Sequence, residues 1–97
     1  MTMDLHIEHE PGRFIARIGD AEAFVTYERD GNVLDVQHTY TPPNLRGQDI
    51  AAQLTAAVFA YARTEGLKIV PTCPYTRAWL SHHPEARAVV ATGSDSV

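Results

Sequence analysis

One cysteine, Cys73, is the only thiol in this chain of 97 residues. That excludes an internal disulfide and a multi-cysteine zinc site. No apolar run approaches the roughly 18 residues of a membrane span. The opening residues, Met1 to His6, hold neither a basic nor an apolar segment. No secretory signal and a cytoplasmic location are therefore expected. Clustered cations are missing too. Eight Lys and Arg lie scattered against 12 Asp and Glu, for a formal charge of -4. That excludes the basic patch of a nucleic-acid module and is only weakly matched to a cationic substrate such as an amine. Repeats and linkers are absent. The length fits one domain, placed at residues 1–91, with a modest core from 44% hydrophobic residues. The end, Thr92 to Val97, reads as a disordered tail.

What is present begins as strands. Leu5 and Ile7 alternate with His6 and Glu8, and Pro11-Gly12 marks a turn. Arg13 to Ile18 follows, with Phe14, Ala16 and Ile18 on one face. After Gly19-Asp20, the residues Ala23, Val25 and Tyr27 continue the alternation. Asp30-Gly31-Asn32 is a hairpin signal that supplies positive φ. The next strand is expected to set Leu34, Val36, His38 and Tyr40 on one face. Four short strands joined by tight turns make an antiparallel meander.

The period then changes. Pro42-Pro43 ends the fourth strand. From about Gly47 to Glu65 the apolar residues Ile50, Leu54, Val58 and Ala62 fall at helical spacing. Gly66 stands where a glycine commonly ends a helix. Leu67 to Thr72 is a short strand without alternation, as if covered on both faces. Pro74 suits the first position of a second helix running to about His82. Pro84 starts a third, short helix carrying Val89 and Val90. Strand, long helix and strand make a βαβ crossover, so the last two strands run parallel and the sheet is mixed. The expected fold class is α/β, with helices on the faces of the sheet.

Residues Tyr40 to Ala51, Val70 to Tyr75 and His82 to Glu85 carry a family resemblance. In this order of elements the chain resembles the GNAT N-acetyltransferase superfamily. It is most similar to its very short single-domain members, which have a Cys-Pro-aromatic step after the crossover strand. The similarity covers about His38 to Val90; the first strands match in pattern only. The superfamily's phosphate loop reads Arg/Gln-x-x-Gly-x-Gly/Ala, and Arg46, Gly47, Gln48, Ile50 and Ala51 fit it. Asp49 stands where that loop has its central glycine. The resemblance implies acetyl-coenzyme A held by Thr41, Pro42, Leu45 and Arg46 to Ala51.

The physics of such a loop is simple. A helix start exposes free N–H groups and a partial positive charge, small residues admit a pyrophosphate, and Arg46 adds a guanidinium fork. A carboxylate at 49 opposes this. At about 5 Å and a dielectric near 20 it costs roughly 3 kcal/mol per phosphate charge before screening. The plainer role of Asp49 is to favour the helix start by about 0.3–1 kcal/mol, so that glycine there would weaken it.

Three residues are candidates for chemistry. Cys73 precedes a helix-opening proline, where the helix dipole favours thiolate. The resemblance places this cysteine by the thioester and implies an acyl-accepting nucleophile; the plainer reading is a small buried hydrophobe. His38 is either a satisfied core residue or a base, since an imidazole is suited to proton transfer near neutral pH. Tyr75 either donates a proton to a departing thiolate or packs under Trp79. His82 and His83 point about 100° apart on a helix, so they close it as C-terminal cations and no metal is expected. Two functions follow. One is an acetyl-coenzyme A-dependent N-acyltransferase whose small amine or peptide acceptor lies in an open groove or across a homodimer or partner surface. The other is a non-catalytic module that holds coenzyme A or a protein partner, a reading that Asp49 favours.

Overall fold

The computed structural model describes residues 6–91. The tail expected at 92–97 and Leu5 of the first strand lie outside the described residues. Five strands form one sheet in sequence order: β1 (His6–Glu10), β2 (Arg13–Ile18), β3 (Ala21–Asp30), β4 (Val33–Tyr40) and β5 (Lys68–Pro71). The first four pair antiparallel, and β5 joins β4 in parallel. The crossover is α1 (Ile50–Glu65), and α2 (Pro74–Ser81) follows β5. The third helical segment, Pro84–Val89, is a 3₁₀ helix. Val90 is already past it and bridges to Ile69, along the free edge of β5. The mixed α/β fold read from the sequence is the fold observed.

Alternation along the strands divides the sheet into two faces. One presents Phe14, Ala16, Ala23, Val25, Tyr27, Leu34, Val36 and Ile69, all in a single buried cluster with α1 and α2 residues. The helices also meet each other there, with the Phe59 and Trp79 rings 4.8 Å apart. The other face carries polar arms. Arg17 pairs with Glu8 and Glu22, and Arg13 pairs with Glu10 and lies 5.9 Å over the Phe24 ring. Among the described residues only Ile15 is buried on that face. Helices therefore layer one face of the sheet rather than both. Val70 is accordingly half-buried, not covered as the unbroken apolar run of β5 implied. Such a run reads as doubly covered only when a second layer exists.

One further expectation fails inside β4. Thr26 pairs with His38 but Tyr27 pairs with Val36, so Gln37 is an extra residue, a β-bulge. The bulge inverts the alternation. Leu34 and Val36 face the helices, and so does Thr39, opposite Val25. His38 and Tyr40 turn to the uncovered face and are exposed. His38 is therefore not the core histidine that the strand pattern allowed.

Candidate functional site

The same bulge opens a cleft. Pairing of β4 with β5 ends at Val36 and Pro71, and the Cys73 N–H then donates to the Val36 carbonyl at 2.8 Å. From His38 to Tyr40 the strand pairs only with β3 among the described residues. A strand edge is left open beside a cavity of about 510 Å³. The end of β4 lines it with Thr39, Tyr40 and Thr41, the loop with Leu45, Arg46, Gly47 and Asp49, α1 with Ile50, Ala51 and Ala52, and α2 with Tyr75.

The loop reaches this wall through a 3₁₀ turn at Pro43–Leu45. The buried Leu45 anchors that turn in the core. Arg46 Nε donates to the Thr41 carbonyl at 3.0 Å, and Gln48 Nε2 donates to the Asn44 carbonyl at 3.4 Å. Both bonds tie the loop to itself. Gly47 takes φ +84° and Asp49 takes φ +66°, both left-handed. These two residues delay α1, which begins at Ile50 rather than near Gly47. Left-handed backbone costs an L-residue about 1–2 kcal/mol, less for Asp, and glycine almost nothing. Asp49 therefore occupies a position that suits glycine by shape. It is the N-cap by place, yet its side chain makes no capping hydrogen bond. The first helical bond runs from the Gln53 N–H to the Asp49 carbonyl at 3.1 Å. The N–H groups of Ile50, Ala51 and Ala52 thus have no intrahelical acceptor, and all three residues line the cavity.

Cys73 lies beside this cavity without lining it. It is 4% exposed and its Sγ stands 3.5 Å from Thr39 Oγ1, which does line it. Burial pushes the thiol up, but hydrogen bonding to it from Thr39 and from the Thr76 and Tyr75 groups at the start of α2 outweighs that and leaves it below an ordinary thiol. These groups act as dipoles rather than as a closed cap. No side-chain hydrogen bond caps α2, and the buried Thr76 hydroxyl completes none of ordinary geometry. Arg77 braces the approach by donating to the Pro71 and Thr72 carbonyls at 3.1 and 2.7 Å.

Tyr75 is 38% exposed on the cavity wall. It does not pack under Trp79, whose ring meets Phe59 and stacks on His83 at 4.2 Å. Burial raises the Tyr75 phenol, and the Asp49 carboxylate and Cys73 add to that. Asp49, like Tyr75, lines the cavity. His83 Nδ1 meets the Trp79 carbonyl at 2.9 Å, so its ring is spent on α2.

Of the nine residues read as cofactor-binding, Pro42 and Gln48 do not line the cavity and the other seven do. His38 is on the opposite face of β4. Sequence reasoning missed Thr39, Tyr40 and Ala52. Ala52 continues the run of small residues at the helix start, a signal that was present; Thr39 is brought in by the bulge, which leaves no pattern in the sequence.

Comparison with known proteins gives a consistent picture. Residues 13–89 match the family described as GCN5-related N-acetyl-transferase. The chain is 33% identical over 85 residues to Protein NATD1 of Danio rerio, spanning 82% of this chain and 77% of that protein. It is 32% identical over 85 residues to Protein NATD1 of Homo sapiens, spanning 82% and 75%. The solution structure of a GCN5-like protein from Staphylococcus aureus aligns with a TM-score of 0.73 at 27% identity, covering 93% of this chain and 91% of that one.

Proposed function

The chain belongs to the GCN5-related N-acetyltransferase family, and from that premise we propose that it transfers an acetyl group from acetyl-coenzyme A to a small amine or peptide amine. The observation that carries this is the composition of the first cavity. It joins an open strand edge, a helix start with three uncommitted N–H groups, an arginine and a phenol in one space. Gly47 and the N–H groups of Ile50 to Ala52 receive the pyrophosphate, and Arg46 adds charge at its rim. The open edge of β4 from Gln37 to Tyr40 takes the amides of the pantetheine arm as an added strand would. Bound acetyl-coenzyme A supplies an activated acetyl group.

In this arrangement the amine nitrogen bonds to the acetyl carbon, Tyr75 gives its proton to the sulfur as the carbon–sulfur bond breaks, and the proton lost from that nitrogen restores the phenol. Its raised pKa keeps it protonated at neutral pH for that task. Cys73, behind Thr39, holds that hydroxyl in place; transfer directly to an amine needs no thiol nucleophile. His38 acts as a base only for an acceptor that arrives over the uncovered face.

Asp49 favours a second reading, a module that holds coenzyme A weakly or binds a protein instead. Asp49 is part of the wall that would meet phosphate. Calorimetry with coenzyme A separates the two. Saturable heat, together with release of free thiol from acetyl-coenzyme A when amines are supplied, supports the transferase. Heat without thiol release supports the coenzyme-holding module. No heat at millimolar ligand supports the protein-binding module.

A further inference from the structure

A second cavity, of about 420 Å³, lies at the other end of α1. Its wall on the helix is Tyr61, ten residues beyond Ala51, which is about 15 Å along the axis. The β1–β2 turn at Pro11 and Gly12 forms its floor, and His9, Tyr27 and Arg29 complete it. The volume falls in the range of roughly 300–1,000 Å³ usual for small-ligand sites. None of these residues takes part in the acetyl-transfer site.

Flat rings dominate the lining. The His9 ring stacks on Phe14 at 4.0 Å and meets the Tyr61 ring edge-on at 4.5 Å. His9 Nε2 shares a hydrogen bond with the Tyr27 hydroxyl, which fixes the imidazole although it is exposed. Burial lowers the His9 pKa, which favours the neutral ring. The charge at the wall therefore comes from Arg29. Its Nε donates to the Gly31 carbonyl at 2.9 Å, which orients the guanidinium from β3. Glu10 also borders the cavity, but its carboxylate is engaged by Arg13 at 3.2 Å. A cation entering among the rings would meet Arg29, so a methylammonium is disfavoured. A planar apolar body suits the rings, and a carboxylate suits Arg29 with the phenols as donors.

We propose that the cavity between the Pro11–Gly12 turn, Tyr61 and Arg29 is a second binding site, for a small flat carboxylate of the benzoate class. The ring lies against His9 and Tyr61, and the carboxylate meets Arg29. The site is separate from the acetyl-transfer cavity and does not depend on what that cavity binds.

The test is an NMR titration of the ¹⁵N-labelled chain with benzoate, with benzamide and benzylamine as probes of the same shape and different charge. Benzoate is expected to move the amides of Gly12, Tyr27, Arg29 and Tyr61 in a single saturable step, leaving Gly47 and Ala51 unmoved. Benzamide should bind about tenfold more weakly, and benzylamine weaker still. Arg29→Gln, at an exposed position, should bring benzoate down to the benzamide level with the spectrum otherwise preserved. Equal affinity for all three probes, an unchanged benzoate affinity in Arg29→Gln, shifts centred on Arg46 to Ala51, or no saturation at millimolar benzoate would each overturn the proposal.

Discussion

Both ends of α1 turn through a left-handed residue, and the two ends are built differently. At the C-terminal end that residue is Gly66, with φ +72°. The Gly66 N–H bonds to the Arg63 carbonyl and the Leu67 N–H to the Ala62 carbonyl, at 3.4 and 2.8 Å, a complete Schellman closure. Leu67 is then buried under the cap. At the N-terminal end the residue is Asp49, which carries a Cβ and makes no side-chain cap, and the three N–H groups after it, in residues that line a cavity, have no intrahelical acceptor. One end satisfies its backbone with protein atoms and packs over the result. The other leaves backbone donors uncommitted, which is what a site for an anionic ligand requires. Satisfied carbonyls and uncommitted N–H groups thus lie at opposite ends of one helix.

Breaking the closed end should have the largest effect. Leu67→Ala removes a side chain that is 3% exposed and should lower stability by about 2–5 kcal/mol, read from urea unfolding. The cavity at the far end should keep its affinity for coenzyme A where the variant remains folded. Gly66→Ala adds a Cβ that meets no atom within 4 Å, so its cost is conformational alone. About 1 kcal/mol is expected, a fall in Tm of roughly 4–8 °C. A loss much smaller than this would mean that the closure contributes little.

The open end should respond in the opposite direction. The sequence reading expects Asp49→Gly to weaken the helix start, because a first-turn acid is lost. The left-handed backbone at this position reverses that expectation. Glycine relieves a strain of the kind Gly66 avoids, smaller because aspartate tolerates this conformation better than most residues, so Tm should hold or rise by a few degrees. Affinity for coenzyme A should rise about tenfold once salt screening is allowed for. Asp49→Asn tolerates the same φ and removes only the charge. A gain in both variants assigns the effect to charge; a gain in glycine alone assigns it to backbone approach. A clear fall in Tm for Asp49→Gly would break the comparison.

The smallest effect concerns pH and His9, near the closed end. Burial holds its folded pKa below 6.5, so the unfolded chain binds a proton more readily. Stability should decline as pH falls through about 6.5 and level off below the lowered folded value. His9→Gln should flatten that part of the urea-midpoint profile against pH. An unchanged slope would assign the acid sensitivity to other groups.

Much of this was legible in the sequence. The change from two-residue to helical period at Pro42-Pro43, with Gly66 as a stop, was enough for the mixed sheet and the crossover. Seven of the nine residues that the family resemblance implied line the cavity; small residues and an arginine at a helix start fit an ordinary helix start as well, so the resemblance and not the local chemistry singled them out. What stayed hidden depended on pairing. Leu34, Val36, His38 and Tyr40 keep a perfect alternation in the chain, and only the register against β3 shows that Gln37 is extra. For the same reason the single helical layer could not be read from β5, whose apolar run looks alike with one face covered or two. The φ of Asp49 was hidden because aspartate is a good N-cap in the ordinary conformation as well.

Under the proposed function the Arg46–Ala51 loop and the start of α1 bind the pyrophosphate of an acyl-coenzyme A. An NMR titration of the ¹⁵N-labelled chain with acetyl-coenzyme A tests it most directly. The account expects saturable shifts concentrated on the amides of Gly47 and Ile50 to Ala52, with smaller ones along Thr39 to Thr41, reproduced at the loop amides by coenzyme A and weakened by salt. Shifts confined to the Gly66 end of α1, or none with millimolar ligand, would contradict it.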